Sequence, residues 1–410
     1  MAAFPSRLIA TLRQSAWLDR DRIVVWCAIL AGLEAAFLLL VACWQHGAFG
    51  PVAATSGDFV SFYAAGKLVL AGTPWLAYDQ AAHALAEQAI HGAGAPYQFF
   101  FYPPVYLPLC AVLATLPYYV AFALFQIGTL VPLLLMLHHL LRHNSHGWLV
   151  PVLAFPAVFW TIGLGQNAFL TTALFAAFTM LLERRPVIAG VPLGLLCYKP
   201  HFGVLVPFAL AAAGLWRTFF VATATLIAAI GLSVALFGGE IWYAYGNAFL
   251  SAKQVFASGR IDYAGVVTVF GAERLMGFAV GPAYALQAVA SLEMVMLVAM
   301  IWRRGLSLPL RAATLLAATL LAVPVALLYD QMLVLLAVVW LVREAQDTGF
   351  RAWEKLAFAI VYVLALVGWP LGNLWHLPIG PIAPSIVLLL CVRRLWRLSS
   401  PHGARVQATP

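Results

Sequence analysis

The stretch IVVWCAILAGLEAAFLLLVACWQ, residues 23–45, carries a single charged side chain, Glu34. A transmembrane helix needs about 20 predominantly apolar residues to cross the hydrocarbon core of a bilayer. The same character runs through the whole chain of 410 residues, of which 64% are hydrophobic and only 9% charged, with a mean hydropathy of +0.92. A soluble domain carries about 25% charged residues. The composition excludes a soluble, disordered, coiled-coil or disulfide-stapled protein and predicts an all-α polytopic membrane protein.

Further apolar runs predict twelve membrane spans in all. We place them at 23–45, 119–141, 148–164, 166–182, 186–198, 202–216, 218–237, 279–301, 312–329, 331–342, 355–371 and 379–392. Several are short, and 186–198 with 202–216 can equally be two broken halves of one feature. Residues 103–116 are apolar but begin with two prolines and are too short to cross. We expect them to form a re-entrant or membrane-surface helix.

The basic residues indicate the orientation. With the N-terminus inside and every span crossing, five of the 23 Lys and Arg residues lie outside and the other 18 inside; those outside are Lys67, Lys199, Lys253, Arg260 and Arg274. Cytoplasmic segments of membrane proteins are enriched in Lys and Arg. We therefore expect both termini in the cytoplasm. If 103–116 crossed, Arg142, Arg184 and Arg185 would move outside and weaken this asymmetry.

Two polar segments are long enough to have a function, and the orientation places both outside. The first outer loop covers about 46–118 and the second about 238–276. Neither is a water-soluble domain, so we expect one integral membrane domain over 1–410.

Asp58 is the first candidate for chemistry. It lies in GDFVSFYAAGKLVLAG, whose apolar residues follow a helical pattern that starts just after it. Aspartate is a good N-cap, so Asp58 has a purely structural interpretation. An ionisable group against the membrane is also a functional candidate by default. The two interpretations are compatible, because a cap holds a carboxylate in place.

Two further motifs lie in the first half of the chain. In FFFYPPVYLPLC, Tyr102, Pro103 and Pro104 have a structural interpretation as a stiff start of a surface helix, because proline presets φ. In LGQNAFL, Gln166 and Asn167 place two amides at an outer turn between helices. There the alternatives are a capped hairpin turn and a polar contact to a substrate.

Two motifs follow in the second half. Lys199 separates two apolar stretches at the outer side, where snorkelling alone explains a lysine. A lysine at a broken helix is also a good partner for a phosphate at the membrane surface. Tyr329 and Asp330 interrupt two apolar spans. An unpaired carboxylate there is costly, so we expect Asp330 to meet a cation or a substrate hydroxyl.

The sequence lacks the signatures of other chemistry. It contains no phosphate-binding loop, zinc-protease, nucleophile-elbow or dinucleotide-binding motif. The outer histidines have no metal-ligand spacing, and the five cysteines lie in apolar stretches as small packing residues. We therefore expect no cofactor, no metal-ligating residues and no nucleic-acid partner. Whether the activity requires a metal ion stays open.

Taken together, these segments resemble glycosyltransferase family 87. The matching stretches are 57–79, 101–117, 165–212 and 324–340, in order along the chain. The resemblance implies a GT-C-type bundle of about 12 transmembrane helices with outer-side juxtamembrane or re-entrant helices. It also implies a plasma (inner) membrane enzyme with an extracytoplasmic active site.

The family resemblance further implies the reaction. It is transfer of a hexose, with mannose as the expected sugar, from a polyprenyl-phosphate donor to an acceptor hydroxyl, with inversion. Asp58 takes the position of the family's catalytic base, Lys199 that of its motif lysine, and Tyr102, Pro103 and Pro104 that of its YPP motif. Many relatives carry a histidine near Tyr329 and Asp330, and this chain has none there. The acceptor can be a glycan, a glycolipid or a protein.

Three other functions stay open at this point. Twelve spans with both termini inside are common in secondary transporters, and a lipid flippase has a similar outline. Against both, the polar residues gather on one side and no inverted repeat is found. A non-catalytic assembly subunit is the third alternative.

Overall fold

The computed structural model describes residues 3–45, 57–92, 94–141, 146–259 and 261–398. About 80% of the structure is helical and these residues form no strand. A single isolated antiparallel bridge pairs Val266 with Leu327. Residues 46–56 of the first outer loop, together with Arg142, Arg260 and Arg405 from the orientation argument, lie outside the described residues. The prediction of an all-α chain is confirmed for the described part.

The described residues form nineteen α-helices. In chain order, α1 to α10 are Ala3–Gln14, Arg20–Gln45, Phe59–Leu70, Gln80–His91, Leu107–Ala114, Tyr118–Leu140, Leu149–Leu153, Pro156–Leu164, Ala168–Leu181 and Pro186–Leu195. Helices α11 to α19 are Val206–Ala212, Trp216–Phe237, Ile241–Ala257, Val269–Leu275, Val280–Arg303, Leu308–Ala322, Met332–Thr348, Glu354–Trp375 and Ile382–Leu398.

Five of these helices, α2, α6, α12, α15 and α18, are long and apolar enough to cross a bilayer. They correspond to the predicted spans 23–45, 119–141, 218–237, 279–301 and 355–371. Twelve crossings are not confirmed, because the other apolar runs form helices of 17 residues or fewer in the described chain. The structure is that of a polytopic membrane protein.

The predicted continuous span 148–164 was wrong. The run is broken into α7 and α8, and Pro156 occupies the first turn of α8. Proline at that position lacks the N–H that a continuing helix would need, so the chain bends there. The runs 186–198 and 202–216 are also short: α10 and α11 are joined by two 3₁₀ turns, 196–198 and 200–203, on either side of Lys199.

Residues 103–116 form a 3₁₀ turn at 104–106 followed by α5, which has only 8 residues. At 1.5 Å per residue this helix is far too short to cross a bilayer. It packs backbone to backbone on α3, since a Cβ on Gly66 would lie 2.1 Å from the carbonyl oxygen of Cys110. The glycine therefore fixes the relation of the two short helices in the first outer loop.

The core lies along α16 and α17. Twelve of the 15 residues of α16 are buried, from Leu310 to Ala322 with one exception, and α17 is buried from Met332 to Val342. Apolar helices that contact protein on nearly all sides are interior helices rather than lipid-facing ones. Their high hydropathy thus reflects burial inside the bundle.

Candidate active site

Each of the predicted site residues lies where a helix begins or breaks. Asp58 directly precedes α3, and Tyr102 ends an extended segment before α5. Gln166 lies in the turn between α8 and α9, Lys199 between α10 and α11, and Asp330 in the 3₁₀ turn between α16 and α17. Backbone groups at such breaks lack helical partners, which makes these positions suited to polar chemistry.

The tertiary structure brings these breaks together. The Nε2 of Gln166 donates to Oδ2 of Asp58 at 2.7 Å, and the hydroxyl of Tyr102 donates to Oε1 of Gln166 at 3.3 Å. The Nζ of Lys199 lies 3.0 Å from Oδ1 of Asp330, and its charge also acts on Asp58. Five segments distant in sequence therefore form one polar cluster.

Asp58 occupies the N-cap position of α3 without capping it. Its backbone is already helical, with φ −62° and ψ −16°, and its side chain accepts no hydrogen bond from the first turn. The structural interpretation of Asp58 as an N-cap was therefore wrong for the side chain. Burial raises the pKa of Asp58, while the hydrogen bond from Gln166 and the charge of Lys199 lower it. A carboxylate with a raised pKa is a stronger base near neutral pH.

The turn that carries Gln166 depends on Gly165. Its φ of +69° is left-handed, and its N–H and that of Gln166 close α8 by bonding to the carbonyls of Ile162 and Thr161. A Cβ at Gly165 would lie 2.6 Å from the Cβ of Phe59. The turn therefore packs directly against the start of α3, next to Asp58.

We expect Gly165→Ala to destabilise the protein by about 1–3 kcal/mol, because it adds both φ strain and overpacking. Product formation should fall with it, since Gln166 moves away from Asp58. Thermal unfolding in detergent and a transfer assay measure the two effects. Gly128→Ala is the matched control, because Gly128 lies inside α6, where an added Cβ would meet no atom within 4 Å. Equal effects of the two substitutions would contradict this account of the turn.

Three residues of this region were missed by the sequence reasoning. Gln126 of α6 donates from Nε2 to the carbonyl of Gln166 at 3.1 Å. Tyr106 and Tyr198 stack at 5.1 Å between ring centroids, and Asn167 donates from Nδ2 to the Tyr106 hydroxyl at 3.4 Å. A lone amide in an apolar span is the only sequence signal for Gln126. The tyrosines have none beyond their place beside predicted motifs.

The YPP motif provides a stiff connection, as its structural interpretation predicted. Pro103 is extended, at φ −60° and ψ 160°, and Pro104 opens the 3₁₀ turn before α5. The Tyr78 hydroxyl donates to the Tyr102 carbonyl at 3.0 Å. The motif thus holds the Tyr102 ring beside Phe62, with 5.1 Å between centroids, and its hydroxyl on Gln166.

Lys199 does not snorkel. Its residue is only 4% exposed, its ammonium is paired with Asp330, and it lies over the rings of Phe202 and Tyr329 at 5.4 and 5.2 Å. Snorkelling requires the charged head to reach water. Here the ammonium is desolvated and held by protein groups.

Asp330 meets a cation, one of the two partners expected for it. Its Oδ1 binds Lys199, and its Oδ2 accepts the backbone N–H of Leu327 at 2.9 Å. Two buried amide oxygens nearby in the fold, Asn167 Oδ1 and Gln331 Oε1, have no hydrogen-bond partner among the described residues. Buried acceptors are normally paired, so these two favour a site that receives hydroxyl donors.

The described residues contain no group of three or more His, Cys, Asp or Glu side chains placed to hold a metal ion. The cluster instead offers one carboxylate held by an amide, one buried lysine paired with a second carboxylate, and several tyrosine hydroxyls. Such a set can accept a proton and stabilise a negative charge.

A family model for glycosyltransferase family 87 matches residues 100–328, which is more than half of the chain. The chain belongs to glycosyltransferase family 87. No curated protein and no solved structure matches it. The family match includes Tyr102, Gln166 and Lys199, whereas Asp330 lies two residues after its end and Asp58 lies 42 residues before its start.

The family and the apolar helices together make this a membrane glycosyltransferase, which moves a sugar from a donor to an acceptor at a membrane. Membership also favours a transferase over the secondary transporter, flippase and assembly-subunit alternatives.

Proposed function

We propose that this family 87 glycosyltransferase moves a hexose, with mannose as the expected sugar, from a polyprenyl-phosphate donor to an acceptor hydroxyl. The observation that carries the proposal is the meeting of Asp58 with the Lys199–Asp330 pair in one cluster. A carboxylate within electrostatic range of a buried cation suits a reaction in which a hydroxyl loses a proton while a phosphate leaves.

In the proposed step, the acceptor oxygen attacks the anomeric carbon and its proton passes to a carboxylate oxygen of Asp58. The bond between that carbon and the phosphate oxygen breaks, and the electron pair leaves with the polyprenyl phosphate. Attack opposite the leaving group inverts the anomeric centre. A positioned base typically contributes 10²–10⁴-fold, and a preorganised cation stabilises the charge that develops on the leaving group.

A lipid-linked donor also agrees with the absence of a nucleotide-binding motif from the sequence. The phosphate is already attached to the sugar and reaches the site from the bilayer, so no nucleotide-binding motif is needed. The unpaired amide oxygens of Asn167 and Gln331 are suited to sugar hydroxyls. The acceptor is a hydroxyl on a glycan, a glycolipid or a protein.

The test is to incubate the purified protein with labelled polyprenyl-phosphate hexoses and a membrane lipid extract, then identify the labelled product. We expect transfer from a polyprenyl-phosphate sugar with release of polyprenyl phosphate. Transfer from nucleotide sugars only would overturn the proposed donor class.

We further propose that the reaction takes place on the extracytoplasmic side of the plasma (inner) membrane, with both termini in the cytoplasm. In a background without the native cysteines, an impermeant maleimide should label cysteines at Gln80 and Gln254 from outside. Both positions are exposed, on α4 and α13 of the two outer loops. A cysteine at Arg304, exposed after α15, should stay unlabelled until the membrane is opened. Labelling from outside of a cysteine at Arg184 would show that the following helices have the opposite orientation, and it would contradict the proposal.

A further inference from the structure

Helix α4 carries a buried pair, His83 and Glu87, that the proposed reaction does not use. The two side chains lie one turn apart on the same face of the helix, and their residues are 0% and 2% exposed. The Nδ1 of His83 lies 3.5 Å from Oε1 of Glu87. Neither of these two atoms has a hydrogen-bond partner that meets the usual geometry among the described residues, so each faces the other.

The other two polar atoms of the pair, Nε2 of His83 and Oε2 of Glu87, are hydrogen-bonded to backbone groups. The Nε2 of His83 lies 3.1 Å from the carbonyl of Ser61, and Oε2 of Glu87 accepts the N–H of Gln98 at 2.9 Å. A carbonyl only accepts, so Nε2 of His83 must carry the ring proton. In a neutral imidazole the other nitrogen is then a bare acceptor, which needs a donor opposite it. Glu87 is a donor only when Oε1 holds a proton.

The alternative is an ion pair of imidazolium and carboxylate. It would place two charges where almost no water reaches, and desolvation of such a pair often exceeds its attraction. Burial lowers the pKa of His83 to about 4, and burial together with the charge of Asp58 raises the pKa of Glu87 to about 8. Both groups are therefore neutral at pH 7.

Among the described residues, the titratable groups around α4 include no cation, other than the imidazole of His83, that pairs with Glu87. In the elements packed around α4 they are Asp58, Tyr63 and Lys67 with α3, Tyr78 in the 74–78 turn, Tyr97 in the extended segment, Tyr118 at the start of α6, and Asp79 and His91 with α4 itself. Burial raises the pKa of Tyr97, so its ring stays neutral. Lys67 lies over the ring of Tyr63.

We propose that Glu87 is protonated in the working protein and, through His83, acts as a positioning residue for Asp58. The protonated carboxyl donates to His83, and His83 donates to the carbonyl of Ser61 in the first turn of α3. The N–H of Ser61 in turn bonds to the carbonyl of Asp58 at 3.1 Å. The inference rests on the proposed function in that Asp58 is the residue being positioned for transfer.

The first test compares the pH dependence of transfer in the parent, Glu87→Gln and Glu87→Ala. The glutamine amide donates to His83 and accepts from Gln98 at every pH. We therefore expect Glu87→Gln to keep most of the parent turnover at pH 7. The parent rate should fall as the pH passes about 8, and this alkaline limb should be absent in Glu87→Gln. Glu87→Ala should lose about 10-fold to 100-fold in turnover, with the donor KM little changed, because Asp58 is displaced.

The second test needs no activity, so it separates failure of this inference from failure of the proposed function. Infrared spectra of the purified protein at pH 7 should show a protonated-carboxyl band that Glu87→Gln lacks. The folded chain holds this proton more tightly than an unfolded chain, so the stability due to Glu87 declines as the pH rises toward about 8. The melting temperature of the parent relative to Glu87→Gln should thus fall between pH 6.5 and 8, a range in which His83 stays neutral.

Two results would overturn the inference. One is a Glu87→Gln variant that loses activity and stability at pH 7 as fully as Glu87→Ala, which would indicate an ion pair. The other is an infrared spectrum that is unchanged by Glu87→Gln. If the parent transfers no sugar but the band is present, the protonated pair stands and the proposed function fails.

Discussion

Asp58→Asn should lower the rate of sugar transfer by about 10²–10⁴-fold, the range that a positioned general base contributes. The amide cannot accept a proton at neutral pH. Its oxygen can still accept the hydrogen bond from Gln166, which is 2.7 Å in the parent. Folding and detergent stability should therefore change little. The measurement is turnover of a labelled polyprenyl-phosphate hexose at saturating acceptor extract, with melting temperature recorded on the same sample.

Asp79→Asn is the matched control for this variant. Asp79 lies in the same outer loop and accepts the N–H of Ala82 at 2.8 Å as the N-cap of α4. Asparagine caps a helix about as well as aspartate, so Asp79→Asn should keep full activity. Near-parent turnover in Asp58→Asn would place the base elsewhere. Asp330 would then be the next acid to test, although both of its oxygens are already bonded.

Lys199→Ala should have the second large effect, on both donor use and stability. Loss of a hydrogen bond to a charged phosphate costs about 1.5–3 kcal/mol, roughly 10-fold to 150-fold in donor affinity. The same change leaves the carboxylate of Asp330 unpaired in a residue that is 4% exposed. Breaking a buried pair in this way costs about 3–5 kcal/mol of stability. Lys199→Arg keeps the charge and should keep part of the activity.

A paired variant separates the two roles of Lys199. Lys199→Met with Asp330→Asn removes both charges and preserves side-chain volume, so most of the stability should return. Donor KM should stay high if Lys199 binds the phosphate. The single variant Asp330→Asn retains the lysine and should bind the donor better than the double variant does. Recovery of the parent donor KM in the double variant would reduce Lys199 to a structural residue.

Of the twelve predicted spans, five correspond to described helices that are long and apolar enough to cross a bilayer. Hydropathy locates apolar helices but does not say whether their apolar surface faces lipid or protein. The runs 312–329 and 331–342 are as apolar as a crossing helix, and they correspond to α16 and α17 in the protein core. The bend at Pro156 was visible as a proline, yet a proline inside an apolar run is compatible with either a kinked span or two helices.

By itself, the sequence determined that the chain is helical and membrane-embedded, and that Asp58, Gln166, Lys199 and Asp330 interrupt apolar runs. These properties are local, because they depend on the residues of one turn or one run. Only the tertiary structure decided which interruptions meet. Gln166 is 108 residues from Asp58, and Lys199 is 131 residues from Asp330.

The physical reason is that such meetings depend on how closely helix backbones approach. Gly190 and Gly194 bring α10 against α12, since a Cβ on Gly194 would lie 2.5 Å from the carbonyl oxygen of Ala222. Gly165 likewise lets the turn between α8 and α9 pack closely against the start of α3. The sequence shows these glycines but not the surface that each one admits. The neighbouring backbone is in place only when the whole bundle has packed. The same packing places Lys199 against the carboxylate of Asp330 instead of in water.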